Sequence, residues 1–172
     1  MKRVTQEKVP QLWPVLEALL KVREIARQAA ARMKRELETA SREDPVRSRL
    51  MTVSGVGPVT VTAYVATIDD PRRFRRGDQV AAYLGLVPSV KQSGELDRHG
   101  HITRDGDKLL RSYLFEAANA LLMRKRGNSS IRRWGLKLAR KKGYGKAKVA
   151  VARKLAVLLH HLWISGESYL PA

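Results

Sequence analysis

The sequence predicts a mainly α fold, in which a long, coiled-coil-like N-terminal helix precedes a compact helical domain. Apolar residues recur at helical spacing over residues 10–41 and through most of residues 107–164. Between them, residues 86–106 have no sustained period and contain three glycines, which indicates an irregular active-site loop. We therefore divide the chain into an oligomerisation segment, residues 1–45, and a compact domain, residues 46–172, with a helix-hairpin-helix-like element near its start.

The predicted N-terminal helix is filled with strong helix formers, and Pro10 or Pro14 suits its first turn. Its inner positions follow one another at alternating spacings of four and three: Leu12, Leu16, Leu19, Arg23, Ala26, Ala30, Met33 and Leu37. Such a heptad stripe either lies on the core of its own domain or joins copies of the chain as a coiled coil. The second alternative predicts a homo-oligomer held together through this helix.

Within the compact domain, glycine, proline and capping residues separate the predicted elements. In chain order, the first elements are a short helix over 46–52, a helix or a competing buried strand over 59–68, and a short helix that is capped by Asp78 and stops at Gly85. A loop or irregular hairpin over 86–106 follows, and then a helix over 107–125 with Leu109 on its apolar face. The last two elements are a basic helix that is capped by Ser129 or Ser130 and ends at Lys142, and a final helix over 146–164. After Leu155 the last helix is apolar nearly all round, and it is therefore predicted to lie in the core, with His160 and His161 as packing or interface residues.

Charge is the strongest indicator of a partner. The net charge is +18, and the stretch Arg124–Lys154 holds 13 basic residues and no acidic one. We expect this stretch to contact the phosphates of DNA or RNA. The predicted contacts are Arg132, Arg133, Lys137, Arg140, Lys141, Lys142, Lys146 and Lys148, whereas Trp134 is expected to belong to the core rather than to stack on a base.

Several classes of protein are disfavoured by what the sequence lacks. There is no cysteine, so neither a disulfide framework nor a cysteine zinc site is expected. No metal site is predicted in this chain, because its aspartates read as turn and cap residues. No long apolar run or signal peptide is evident, which predicts a bacterial cytoplasmic protein without a membrane partner, associated with the nucleoid when bound to DNA.

A glycine hairpin between two predicted helices offers a second nucleic-acid signal. Residues Gly55, Val56 and Gly57 precede Pro58, which is suited to open a helix. In a helix-hairpin-helix such glycines let the backbone approach a phosphate, which the N–H groups at the start of the second helix hold. A tight turn between packed helices, without any ligand, is the alternative interpretation.

The polar loop around Ser93 is the candidate for chemistry. A serine hydroxyl attacks a phosphodiester only if a base removes its proton or cations stabilise the developing charge. Lys91, Arg98, His101 and Arg104 are near in sequence and are predicted to supply such groups. Ser89 is an equal candidate on chemistry alone.

Taken together, these blocks give the chain from about Leu50 to Gly166 a resemblance to the C-terminal domain of the insertion sequence 110/116/902 transposases. The segments that carry it are Ser54-Gly55-Val56-Gly57-Pro58-Val59-Thr60, Asp70-Pro71-Arg72-Arg73-Phe74, Ala81-Ala82-Tyr83-Leu84-Gly85-Leu86-Val87-Pro88-Ser89-Val90, Gln92-Ser93-Gly94 and Gly100-His101-Ile102-Thr103-Arg104. Their order and spacing are more specific than any single block.

This resemblance implies an RNA-guided recombinase that moves a circularised element into DNA, with a structured guide RNA as partner. It implies that Ser93 is the nucleophile that forms a phosphoserine link to DNA. The acids that bind Mg²⁺ would belong to an N-terminal RuvC-like domain with a DEDD set, which this sequence does not show. We therefore expect the isolated chain to be inactive and to hold no cofactor of its own.

Two other functions compete with strand transfer. The first is a non-catalytic DNA- or RNA-binding module, a transposase remnant whose binding would depend steeply on salt and on no serine. The second is a ribosome-associated protein, since small basic ribosomal proteins also use glycine hairpins between helices. The coherent blocks over residues 81–104 favour the transposase interpretation.

Overall fold

The computed structural model describes residues 10–93, 96–124 and 129–170, and for residues 90–100 the backbone alone. It forms two compact units that divide between Thr39 and Ala40. The elements in chain order are a 3-10 turn (Pro10–Leu12), α1 (Trp13–Glu43), α2 (Pro45–Leu50), α3 (Pro58–Ile68), a second 3-10 turn (Pro71–Arg73), α4 (Gly77–Tyr83), β1 (Pro88–Ser93), β2 (Leu96–Ile102), α5 (Lys108–Met123), α6 (Ser130–Lys142) and α7 (Tyr144–Ser165). The predicted mainly helical fold is confirmed.

Helix α1 extends two residues beyond its predicted end and carries its own surface ion pairs. Lys21 Nζ lies 3.1 Å from Glu17 Oε1, and the Arg27 guanidinium donates to both carboxylate oxygens of Glu24. That contact lowers the pKa of Glu24 to about 2. The apolar residues of the helix are largely exposed: Leu12, Val15, Leu19, Val22, Ile25 and Met33. Pairing of this stripe as a coiled coil stays a prediction.

Helix α7 forms the centre of the core in the second unit. Its side chains Val151, Leu155 and Leu159 are fully buried, and α2, α4, α5 and α6 pack against this helix. His160 is also buried; its Nε2 lies 2.9 Å from the Pro71 carbonyl oxygen and its ring meets that of Phe74 edge-on. The predicted core position of the last helix and the packing role of His160 are therefore confirmed.

The stretch 59–68 is a helix, and the competing strand interpretation is wrong. Pro58 stands at the first helical position, where its fixed φ is already suitable. The buried residues Val61, Tyr64 and Ile68 then fall three to four positions apart, on the face that meets the core. Burial of that face outweighs the weak helix propensity of the β-branched residues.

Two details of the predicted helices are wrong. Asp78 does not cap α4, because the helix begins at Gly77, two residues earlier than predicted, with Arg76 at its N-cap. Gln79 Oε1 accepts the N–H of Arg75, and Asp78 instead pairs with the Arg76 guanidinium at 2.7 Å, which lowers the pKa of Asp78. Leu109 is 59% exposed and does not belong to the buried face of α5.

The boundaries of the remaining elements follow their caps. The Ser129 hydroxyl accepts the N–H of Arg132 and so begins α6, and α7 begins directly at Tyr144, two residues earlier than predicted. Strands β1 and β2 pair as an antiparallel hairpin, in which Ser93 pairs with Leu96 and Pro88 with Ile102. Its register shifts between Pro88 and Val90, which makes this an irregular hairpin rather than an open loop.

One long-range hydrogen bond fastens α3 to the centre of the core. The buried Tyr64 hydroxyl donates to the Ala156 carbonyl oxygen at 2.8 Å. Tyr64→Phe should therefore cost about 1 kcal/mol of unfolding free energy, since a buried hydrogen bond is lost without a change of shape. Tyr144→Phe is the matched control, because the Tyr144 hydroxyl bonds to Asn119 at an exposed position. Urea unfolding of both variants measures the difference, and equal losses would contradict the expectation.

Candidate nucleic-acid interface

The two ends of the hairpin are held together by close backbone contacts. Gly85 and Gly106 have φ of +64° and +90°. A Cβ at Gly85 would lie 2.0 Å from the Asp105 carbonyl oxygen, and one at Gly106 would lie 2.0 Å from that of Tyr83. Only glycine fits both the conformation and the space. The segment that enters the hairpin and the segment that leaves it thus form one clamp.

A buried arginine of α5 completes this clamp. Arg111 is 7% exposed, and its Nη1 donates to the carbonyl oxygens of Leu84 at 3.1 Å and Asp105 at 3.3 Å, with longer contacts to those of Gly106 and Asp107. Among the described residues, its hydrogen-bond partners are thus all backbone carbonyls, so its positive charge is solvated without being cancelled by a carboxylate. Sequence reasoning missed Arg111, because a lone arginine in an apolar helix carries no distinctive pattern.

A basic cleft of about 450 Å³ opens beside the clamp. Arg111 lines it together with His101 and Arg104 from the hairpin exit, Lys108 from the start of α5, and Lys146 from the first turn of α7. Among the described residues that line this cleft, none is acidic. Clustered cations over low-dielectric walls concentrate the positive potential, and the cleft is thus suited to an anion such as a phosphodiester.

The cleft brings together predicted residues that are distant in the sequence. His101 and Arg104 meet Lys146, all three having been predicted as phosphate contacts. Lys108 was missed, although it directly follows Asp107, the N-cap of α5. A basic residue just after a capping aspartate is a signal that could have been used.

The register of the hairpin separates Ser93 from this cleft. Ser93 ends β1 at the hairpin tip, while Ile102 pairs with Pro88 at the base. Five residue steps from Pro88 to Ser93 correspond to about 17 Å along an extended strand. Lys91 and Arg98 are Cα partners two positions from Ser93, so they are nearer to it along the ladder than His101 and Arg104 are.

The two glycines of the glycine hairpin differ in their surroundings: Gly55 is closely packed, and the space beside Gly57 is open. Gly55 has φ of +93°, and a Cβ there would lie 2.6 Å from the Ala117 carbonyl oxygen of α5. Gly55 is therefore required by helix packing, and Val56 is buried beside it. Gly57 is the N-cap of α3, and a Cβ there would meet no atom within 4 Å. The space beside the N-cap of α3 is thus open, and the helix-hairpin-helix role stays a prediction.

Comparison with known proteins identifies the family. The profile of the transposase IS116/IS110/IS902 family matches residues 47–135, about half of the chain. The chain belongs to this transposase family. A probable family 20 transposase of Pseudomonas aeruginosa is 35% identical over 142 residues, which cover 82% of this chain and 42% of that protein.

Other relatives are consistent with this assignment. The transposase for insertion sequence element IS1111A of Coxiella burnetii is 30% identical over 135 residues, covering 78% of this chain and 37% of that protein. The pilin gene-inverting protein of Moraxella lacunata is 36% identical over 72 residues, covering 41% of this chain and 22% of that protein. The chain thus spans about two fifths of the length of the first two transposases.

The family match covers only part of the candidate interface. It includes the glycine hairpin, Ser93 and the clamp with Arg111, and it ends within α6. The predicted contacts Lys137, Arg140, Lys141 and Lys142 lie beyond it and are exposed on α6, whereas Lys148 is half-buried on α7. Arg132 is half-buried, and its Nε has no hydrogen-bond partner within the part of the chain that the structure describes. Trp134 packs against the core, as expected from the sequence.

Two further observations concern metals and membranes. In the described part of the chain, no group of three or more histidine, aspartate or glutamate side chains could hold a metal ion. Over the same residues, no helix combines the length and the apolar content that crossing a membrane requires.

Proposed function

We propose that this chain is the DNA-binding and strand-transfer part of an insertion-sequence transposase. Its family membership supports the transposase role, and the basic cleft at the hairpin base is the observation that carries DNA binding. In this proposal Ser93 Oγ attacks the phosphorus of a DNA phosphodiester. The serine hydroxyl gives up its proton as its P–O bond forms, the P–O bond to the leaving strand breaks, and the leaving oxygen takes up a proton, so that no net proton is consumed.

The hairpin presents the nucleophile at a fixed distance from the cleft. The glycine clamp and Arg111 hold the hairpin base rigid, while Ser93 lies about 17 Å away at the tip. That spacing corresponds to about five base pairs at about 3.4 Å each. The cleft would therefore hold the backbone several nucleotides from the bond that is cut, and Lys91 and Arg98 would supply positive charge near Ser93.

Magnesium is assigned to a RuvC-like domain outside this chain. The described residues offer no acidic cluster for it, so no step of the proposed mechanism here is routed through the metal. Among the described residues, the lysine and arginine side chains of the cleft would meet the phosphate charge.

The proposal also includes two partners of the whole transposase. One is a second copy of the chain, because the exposed apolar stripe of α1, with Leu12, Leu19 and Met33, would be buried by a coiled-coil partner. The other is a structured guide RNA, for which the exposed basic side chains of α6 offer phosphate contacts.

A non-catalytic binding module remains the second candidate function. It is favoured by the position of the cleft, whose described lining residues lie at the base of the hairpin and beyond it, whereas Ser93 lies at the far end of β1. In that case the chain would hold nucleic acid with the same cleft and the same salt dependence, and replacing Ser93 would change nothing that can be measured.

The cleft is tested by DNA affinity as a function of salt. The double variant Lys108→Gln and Lys146→Gln should weaken duplex binding and reduce the slope of log affinity against log salt by about 2, since each lost phosphate contact removes about 1. Lys34→Gln with Arg35→Gln, both exposed on α1, removes the same charge elsewhere. Equal weakening by the two pairs would mean that net charge, and not the cleft, determines binding.

A further inference from the structure

A second pocket lies between α6 and α7, in residues that the proposed strand-transfer chemistry does not use. It measures about 610 Å³ and is lined mainly by apolar side chains, among them Ile131, Trp134 and Leu158. Arg153, Lys154 and His161 stand at its border. Cavities of this size take small ligands or single groups of a larger one.

The tryptophan of this groove is held in place on both sides. Its neighbour Gly135 lets α6 approach closely, because a Cβ there would lie 2.7 Å from Val151 of α7 and 2.8 Å from Leu122 of α5. Lys154 Nζ lies 4.1 Å from the centre of the Trp134 ring, a cation–π contact. Trp134 is only half-buried, so part of the indole is left for a ligand.

Charge complementarity limits what the groove accepts. Neither α6 nor α7 contains an acidic residue, so the border cations have no carboxylate partner on either helix. A ligand that fits both the apolar floor and this border must combine a flat or apolar group with a negative charge. An amphipathic helix would need a longer groove that takes anchors over at least two turns. A nucleobase with its phosphate has the required combination in the required size.

We propose that the α6–α7 groove binds one unpaired nucleotide of a nucleic-acid strand, with its base against Trp134 and its phosphate at Arg153 and Lys154. Lys154, which rests over the indole in the unbound chain, moves its ammonium to the phosphate when the base enters. A paired base is unavailable for such stacking, so the groove distinguishes single strands from duplex. The site shares with the proposed function only its class of partner and does not depend on Ser93.

The test compares single-stranded and duplex binding by the full chain. The probes are oligo-dT and oligo-rU of about eight nucleotides, within the range of single-stranded sites, and a blunt DNA duplex. Trp134→Leu should bind the single strands at least about fivefold more weakly and the duplex unchanged. Quenching of tryptophan fluorescence by the single strands should be lost as well, while Trp13 and Trp163 report the background.

Surface variants keep the test independent of packing around the indole. Lys154→Gln should weaken single-strand binding more than Lys34→Gln, which removes the same charge from an exposed position of α1. If the variants bind only oligo-dT more weakly, the strand in the groove is DNA; if they bind only oligo-rU more weakly, it is RNA. If binding of both probes is weakened, the groove does not distinguish the two sugars. Unchanged single-strand binding by Trp134→Leu, or equal losses for duplex and single strand, would overturn the proposal.

Discussion

Ser93→Ala should abolish the covalent protein–DNA adduct while leaving the fold and the DNA affinity unchanged. Alanine carries no nucleophile, and a water molecule that cuts the strand leaves nothing attached to the protein. We expect strand joining to fall by at least about a thousandfold, as for loss of other serine nucleophiles. The measurement is a denaturant-resistant adduct on nicked DNA with Mg²⁺, followed on a gel.

Two arms make this result interpretable. The first uses the chain itself; the second uses a chimera in which it replaces the matching 142 residues of the Pseudomonas aeruginosa relative, which tests the proposed need for a further domain. Ser89→Ala is the matched control, because Ser89 also lies on β1, but beside the bulge at the hairpin base. Adduct formation that survives Ser93→Ala and disappears with Ser89→Ala would transfer the role to Ser89. Survival in both would remove serine catalysis from this hairpin.

The sequence predicted the helices that have a single buried face. The spacing of Leu110, Leu114 and Leu121 defined α5, and the apolar end of α7 correctly indicated the core. The stretch 59–68 was ambiguous, because β-branched residues favour strands and only packing around Tyr64 decided for the helix. Asp78 was misplaced because a cap depends on backbone geometry that several neighbouring residues could provide.

The site was less predictable than the fold, because it depends on contacts across the chain. Nothing local in the sequence indicates that Lys146 lies beside His101, since α7 must first pack on α5 to bring them together. The role of Arg111 could not be predicted for the same reason, because it depends on the approach of the Leu84 carbonyl from another part of the chain. Conversely, Ser93 and Arg104 are close in sequence but are separated by the length of an extended hairpin. Sequence proximity was therefore a poor measure of distance here.

The glycines of the clamp illustrate a further limit of prediction from the sequence. Gly85 was predicted only as the end of a helix, which agrees with its position after α4 and with its positive φ. Its second role, the close approach to Asp105, requires knowledge of where the chain returns after the hairpin. Gly85 thus meets a local requirement, the end of a helix, and a long-range requirement, the close approach to Asp105. Only the local requirement could be inferred from the sequence.

Gly85→Ala should therefore be among the most destabilising single substitutions in the compact domain. The added Cβ would lie 2.0 Å from the Asp105 carbonyl oxygen and 2.6 Å from its amide nitrogen. Both are backbone atoms, so no side-chain rotation relieves the clash, and the left-handed conformation adds its own cost. We expect a loss of about 3–5 kcal/mol of unfolding free energy and a fall in melting temperature on the order of 10 °C.

Gly145→Ala provides the matched control for this substitution. Gly145 lies in the first turn of α7, and a Cβ there would meet nothing within 4 Å. Alanine at that position should leave the stability unchanged or raise it by up to about 1 kcal/mol, because it restricts the unfolded chain. If Gly85→Ala melted at the temperature of Gly145→Ala, the clamp would be able to open without cost. A hairpin free to move at its base would not hold Ser93 at a fixed distance from the cleft, and the spacing of about five base pairs in the proposed mechanism would have to be abandoned.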